Sequence, residues 1–325
     1  MDESLFQNNF INKQQICQYF GNVLLATDYQ GQIVLVFCNG EIFTFSLVDG
    51  KEWQWTSSLK VIPQTSITQQ EDYGLQLNGN GHKFFFSQVD QRYELKIQIW
   101  KRGHKCNWTF QQSLKLYSRN KFLSINLSGS MLMVDHVRTL QIWDYNHTQS
   151  KLARMQSVPL ESTIAYFHEN ESVIAAKSKQ HVVFIKKINQ LWVKYQSIKA
   201  EQEFFMQFFK NRLIIITIYD LFMYKMDDSL HFQLEKQIVS GIFTKEPQQC
   251  LFMGSIVMVQ MPSLEIECYK YENNSWVKDK NYFKSNFQAH RLINSKDYKK
   301  LFIYRKKYGG IVFEKKNEIK EKIKL

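Results

Sequence analysis

The sequence predicts an all-β chain built from one unit repeated along its length, and three observations carry that prediction. Long helical periodicity is nearly absent; short apolar runs of five to eight residues recur instead, each bounded by polar turns. One alternating run type occurs seven times, and a more continuous apolar run precedes each copy. The copies are separated by 54, 45, 42, 39, 43 and 46 residues, a strand-built period that marks a β-propeller. The expected architecture is one domain over residues 1–325, a single seven-bladed β-propeller of four-stranded antiparallel blades.

The alternating copies read EIFTFSL (41–47), LKIQIWKR (95–102), TLQIWDY (139–145), HVVFIKK (181–187), LFMYKM (221–226), LEIECYKY (264–271) and GIVFEKK (310–316). Their central residues are Phe43, Ile97, Ile142, Phe184, Met223, Ile266 and Val312. The runs before them are IVLVF, KFFFS, MLMVD, SVIAA, LIIITI, SIVMVQ and KLFIY. A strand buried on both faces loses its alternation, so these read as inner strands. After several copies comes a turn, a Trp and a polar-alternating strand, as in GKEWQWTSSLKV, HKCNWTFQQSLKL, NQLWVKYQSIK and NNSWVKDKNYF. These read as outer strands with one face packed and one wet. The blades are expected at roughly residues 21–62, 73–117, 122–159, 162–199, 204–240, 250–284 and 287–325. Part of residues 4–20 is the favoured closing strand. The alternative is EIKEKIKL (318–325), which as a strand puts Ile319, Ile323 and Leu325 on one face and Lys320, Lys322 and Lys324 on the other.

At TLQIWDYN (139–146) the sequence resembles the third strand of a WD-repeat β-propeller, with Trp143-Asp144 as the closing dipeptide. IQIWKR fits the same slot with Lys101 in place of the Asp. Only the repeat at 139–146 carries the dipeptide. The resemblance implies a structural role for Trp143 and Asp144, because His, Asp and Trp form a hydrogen-bonded network inside the family's blades. Asp28 and Asp220 are candidates for the family's Asp in the turn before the third strand.

Composition suits a packed β structure, with 44% hydrophobic and 15% aromatic residues among 325. Gly and Pro are scarce, at 13 and 4, so the turns must rely on Asn, Asp, Ser, Lys and Gln. Net charge is +12, and residues 296–325 alone hold 11 Lys/Arg against 4 Asp/Glu. A basic end of this kind can meet nucleic acid, anionic lipid or an acidic partner. The five cysteines are far apart and no C-x-x-C occurs, so no metal site is expected. No secretory h-region and no membrane-length apolar run occurs, and the expected location is intracellular, in the cytoplasm or alternatively the nucleus.

Several short stretches resemble functional motifs and break down on inspection. WKRG (100–103) is similar to the double-arginine-glycine motif of phosphoinositide-binding propellers, but Lys101 lacks the guanidinium fork of the first arginine. SLVDGKEW (46–53) resembles the Asp-box turn of sialidase-like propellers, with Asp49 and Gly50 adjacent rather than separated. NGNGHKF (78–84) lacks the third glycine of a dinucleotide loop and precedes a strand, so it reads as a turn. No phosphate loop, nucleophile elbow or H-E-x-x-H motif is present. FFF (84–86), FFMQFF (204–209) and YFKSNF (282–287) read as filling between blades rather than base-stacking platforms.

These features predict a non-catalytic scaffold that mediates protein–protein contacts as a subunit of an intracellular complex. No catalytic residue, cofactor or small-molecule substrate is indicated. The alternative is RNA or ribonucleoprotein binding through a basic surface of Lys101, Arg102, Lys105, Arg305, Lys306, Lys307, Lys320, Lys322 and Lys324. A further alternative is an enzyme whose site lies in the channel, marked by converging His and acidic side chains.

Overall fold

The computed structural model describes residues 5–9, 23–50, 52–62, 72–103, 107–118, 123–136, 138–146, 151–162, 164–200, 204–217, 220–239, 249–254, 256–261, 263–272, 275–279, 291–295, 297–305 and 309–315. After an N-terminal strand β1 (Leu5–Asn9), the first sheet holds β2 (Leu24–Thr27), β3 (Ile33–Cys38), β4 (Glu41–Val48) and β5 (Glu52–Lys60). The second holds β6 (Asp72–Leu77), β7 (Lys83–Val89), β8 (Glu94–Arg102) and β9 (Trp108–Tyr117). The third holds β10 (Leu123–Ile125), β11 (Met131–His136), β12 (Thr139–Asn146) and β13 (Lys151–Val158). The fourth holds β14 (Ile164–Phe167), β15 (Val173–Ser178), β16 (His181–Ile188) and β17 (Leu191–Lys199). The fifth holds β18 (Phe204–Phe209), β19 (Arg212–Thr217), β20 (Asp220–Met226) and β21 (Phe232–Val239). The sixth holds β22 (Gln249–Phe252), β23 (Ile256–Gln260), β24 (Ile266–Glu272) and β25 (Ser275–Lys278). These six sheets are each made of four consecutive strands. The remaining sheet is composite, with order β1-β28-β27-β26, where β26 is Arg291–Asn294, β27 is Lys300–Arg305 and β28 is Gly309–Lys315.

All pairings are antiparallel, and each repeated alternating run of the sequence is a third strand, from β4 to β28. The continuous apolar runs are the second strands. Every residue of β3 and of β23 is buried. Alternate residues of a second strand serve different neighbours. Ile33, Leu35 and Phe37 pack with Leu75, Phe84 and Phe86 of the second sheet, whereas Val34 and Val36 pack with Phe302 of the composite sheet. Phe85 turns the other way, toward Leu132 and Val134 of the third sheet. The same division continues around the molecule, so each apolar cluster joins two adjacent sheets and none lies at the centre. The β8–β9 stretch that carries the basic turn is thus one hairpin of a repeated unit.

Ring closure rests on the composite sheet. β1 pairs antiparallel with β28 from Leu5↔Lys315 to Asn9↔Ile311. The N-terminal segment therefore supplies the fourth strand; the alternative strand at 318–325 lies outside the described residues. The composite sheet joins the first through backbone and side chain. Asp297 N–H donates to Tyr29 O at 3.0 Å, and the buried Lys300 Nζ donates to Gly31 O at 3.1 Å. Gly31 has φ +61°, and a Cβ there would meet Ser295, Lys300 and Phe302 at 3.0–3.1 Å. Only a residue without a side chain fits this junction unstrained. Gly31→Ala is expected to lower the unfolding free energy by about 1–3 kcal/mol. A denaturant titration checks it, with Gly50→Ala, whose Cβ meets nothing within 4 Å, showing the cost of positive φ alone.

Outer strands are joined by a second repeated device. A register shift falls at the middle of the third strand in each of the first five sheets, leaving Thr56, Gln111, Met155, Tyr195 and Glu235 as extra residues in the fourth strands. In the second, third and fourth sheets the residue after this bulge is a glutamine that reaches the next sheet. The Gln156 amide accepts from Trp192 N–H at 2.7 Å and donates to Trp192 O at 2.8 Å. Gln112 holds Leu152 in the same way at 2.8 and 3.0 Å, and Gln196 holds Phe232 at 2.8 and 2.6 Å. In the first sheet this position is Ser57, and Trp108 Nε1–H donates instead to Thr44 Oγ1 at 2.8 Å. Each staple removes two backbone groups of the next sheet from need of water. Gln156→Ala is expected to cost about 1–3 kcal/mol of stability, measured as a fall in denaturant midpoint, while the exposed Gln30→Ala shifts it by less than about 0.5 kcal/mol.

Candidate functional site

The first strands of all seven sheets surround an axial cavity of about 520 Å³. Of these strands the sequence marks only FFMQFF (204–209), as filling between blades; five of the others are three or four residues long and carry no clear alternation. The wall is mainly apolar, with Leu75, Ile125, Phe167, Phe205, Met206 and Leu251 contributing. Several of its polar side chains already hold the ring together. Gln76 Oε1 accepts from Ile125 N–H at 3.1 Å, Gln207 holds Phe252 N–H and O at 3.0 and 3.1 Å, and Gln249 donates to Leu292 O at 3.1 Å.

One end of the cavity carries the turns between first and second strands. Asn170 N–H donates to His168 Nδ1 at 3.1 Å, which leaves Nε2 protonated to donate to Lys210 O at 2.9 Å. His168 is therefore a turn and inter-sheet residue. The Tyr298 hydroxyl donates to Phe208 O, and its ring lies 4.6 Å from that of Phe209. Glu169 lines the same mouth, partly exposed, and has no hydrogen bond or ion pair among the described residues. Burial and the Glu169 charge both push the Tyr29 and Tyr298 phenols up. Burial does the same to the Cys250 thiol in the wall. Among the described residues no group of three His, Cys, Asp or Glu side chains forms a metal-binding cluster.

These turns share a polar cap at their first residue. Asp28 Oδ1 accepts from the N–H groups of Gln32 and Ile33 at 2.7 and 3.1 Å. Asn78 and Asn126 accept equivalently from Lys83 and Met131, each at 2.8 Å. Asp28 thus lies between first and second strands, not before the third strand as the WD-repeat resemblance implied. Asp220 opens third strand β20, and its Oδ1 is buried without a partner among the described residues. Burial raises the Asp28 pKa, outweighing the turn N–H groups and Lys300. A folded-state pKa above the unfolded value means stability is lost as pH rises through that range. Asp28→Asn, which the turns at Asn78 and Asn126 already use, removes this loss. The variant's denaturant midpoint is expected to gain on the parent's as pH rises from about 4 to about 7.

Of the basic surface expected from the sequence, only Lys101, Arg102 and Arg305 lie among the described residues, and the strand ends that carry them are on opposite faces. Lys101 and Arg102 end third strand β8, on the face of the first-to-second turns, where Arg102 N–H bonds His82 O at 2.8 Å. Arg305 ends second strand β27, and alternating strand direction places that end on the opposite face. Arg102 Nη2 donates to Ser46 Oγ at 3.2 Å, so this guanidinium braces the first sheet. Lys101 is exposed and pairs across the sheet with Lys83, whose pKa is lowered by burial and by Lys101. Lys105, Lys306, Lys307, Lys320, Lys322 and Lys324 lie outside the described residues, as does the YFKSNF stretch. Phe84, Phe85 and Phe86 are fully buried between sheets. Trp143 packs against the cluster between the second and third sheets, with its buried indole N–H unpaired among the described residues. Asp144 accepts from Tyr145 N–H at 2.8 Å and faces Lys187 Nζ at 4.0 Å.

The fourth strands form the rim, and large apolar side chains stand exposed among its polar residues. Trp55, Phe110, Leu191, Leu234 and Val277 are each about half exposed. Each stands on the edge strand of its sheet.

No protein-family model matches the chain, and no curated protein matches its sequence. Solved structures do match. The β-propeller domain of Cps50 (Swd1) from Myceliophteria thermophila superposes with a TM-score of 0.67 at 9% identity, over 96% of this chain and 100% of that one. A chain of the mitotic checkpoint complex gives a TM-score of 0.62 at 9% identity, over 96% and 95%. The periplasmic gluconolactonase PpgL of Pseudomonas aeruginosa gives 0.57 at 11% identity, over 79% and 83%. The likeness is one of fold. This chain is an all-β β-propeller with four-stranded antiparallel blades, and its WD-repeat resemblance holds at that level.

Proposed function

We propose that this chain is a non-catalytic, seven-bladed propeller that mediates protein–protein contacts as a subunit of an intracellular complex. The observation that carries this reading is the rim. Edge strands present unpaired backbone groups, and large apolar side chains stand exposed beside them on successive blades. Trp55 and Phe110, on adjacent blades, are the aromatic type that anchors protein interfaces. Phe110 is held in place by the Trp100 ring at 5.3 Å, and Trp55 by its indole bond to Ser57 O at 2.9 Å. Such fixed anchors lose little rotamer freedom on binding. The solved propellers from a checkpoint complex and from Cps50 (Swd1) are compatible with this use of the fold, by analogy alone.

The test is purification of the tagged protein from its own cells at native level, with nuclease and at high salt. Stoichiometric protein partners are expected to survive both treatments. The double variant Trp55→Ser, Phe110→Ser is expected to lose them at least about tenfold, with an unchanged unfolding midpoint. Partners retained by the variant, or recovery that depends on RNA, would overturn the rim reading.

A further inference from the structure

We propose that the axial cavity is a binding site for a small organic cation with an apolar body. This does not rest on the rim reading, since the cavity and the rim lie at opposite ends of each sheet. A ring of sheets leaves axial space by geometry, so the volume alone decides little. At about 520 Å³ it nevertheless falls within the range that holds small ligands, about 300–1,000 Å³. The lining decides more. Aliphatic and aromatic side chains such as Leu75, Phe167, Phe205 and Met206 form the wall, which favours an apolar guest over bulk water.

The polar groups then select the guest's charge. His168 has both ring nitrogens engaged, the Tyr298 hydroxyl is bonded to Phe208 O, and the Gln207 amide is taken by Phe252. Glu169 is left. Its carboxylate lines the mouth without a hydrogen bond or ion pair among the described residues, and its charge is felt by two phenols there. Among the described residues no cationic side chain lies within ion-pair distance of it, so a cation entering the mouth meets an unneutralised carboxylate beside apolar walls. An ammonium or guanidinium group at Glu169, with its carbon body in the channel, satisfies charge and walls together. An anionic guest is repelled, and a neutral one leaves Glu169 uncompensated. The Tyr298 ring, which lines the same mouth, adds an aromatic surface that suits a cation.

Isothermal titration calorimetry on the full chain tests this with n-octylammonium, octanoate and 1-octanol, which share one tail and differ only in head group. Octylammonium is expected to bind about tenfold or more tightly than octanoate. Glu169→Gln, a near-isosteric change on a partly exposed turn, is expected to abolish that preference and leave octanol affinity and the unfolding midpoint unchanged. Equal or tighter binding of octanoate overturns the proposal, as does no binding of any probe at millimolar concentration. Binding of a lysine-bearing peptide where the free amine does not bind overturns the small-molecule occupant.

Discussion

Everything in this fold depends on the second strand of each sheet having two dry faces that belong to two different interfaces. Ile33, Leu35 and Phe37 serve one neighbour while Val34 and Val36 serve the other. A strand of this kind buries about half of its apolar surface only when the next sheet is in place, and no central core compensates. No blade is stable alone, and a row of blades with open ends would expose two apolar faces. Closure is therefore a condition of stability rather than a finishing detail. The junction of first and last sheets shows what closure demands: a side-chain-free Gly31, a buried Lys300 and a strand borrowed from the other end of the chain.

The same constraint sorts residues into functional surfaces. Second strands are fully enclosed. First strands face the axis, where the curvature of the ring leaves a gap that their side chains do not fill. Fourth strands have a partner on one side only, so apolar residues such as Trp55 and Phe110 remain exposed there. Polar side chains near the axis and the rim are largely engaged in stapling one sheet to the next, through Gln76, Gln112, Gln156, Gln196 and Gln207. These amides join one sheet to the next, whereas the His, Asp and Trp network that the WD-repeat resemblance implied lies within a blade. Trp143 has no hydrogen-bond partner for its indole among the described residues, and Trp108 bonds across to another sheet.

Strands with strong side-chain alternation or continuous apolar runs were legible because those patterns are local consequences of burial on one face or two. Five of the first strands were not, since three or four residues carry no periodicity, and FFMQFF (204–209) was legible as packing between blades but not as a channel wall. The candidate channel site was invisible for that reason. The glutamine staples did leave a trace, the Gln-Ser-aliphatic step at 112–114, 156–158 and 196–198, but its meaning needs the neighbouring blade. Asp28 looked like a residue before a third strand and is instead a cap between first and second strands, because turn residues of both places are chemically alike.

By itself the sequence determined the strand content, the repeat, the order of strands within each unit and which strands would be enclosed. These follow from contacts within one repeat, where side-chain period and turn chemistry act over a few residues. Only the tertiary structure decided which terminus completes the last described sheet, which amides cross between blades and where charge comes together. Lys101 and Arg305 read as one basic surface along the chain, yet alternating strand direction sends them to opposite faces. Glu169 and Tyr298, far apart in sequence, meet at one mouth because ring closure brings the fourth and last sheets to a common axis.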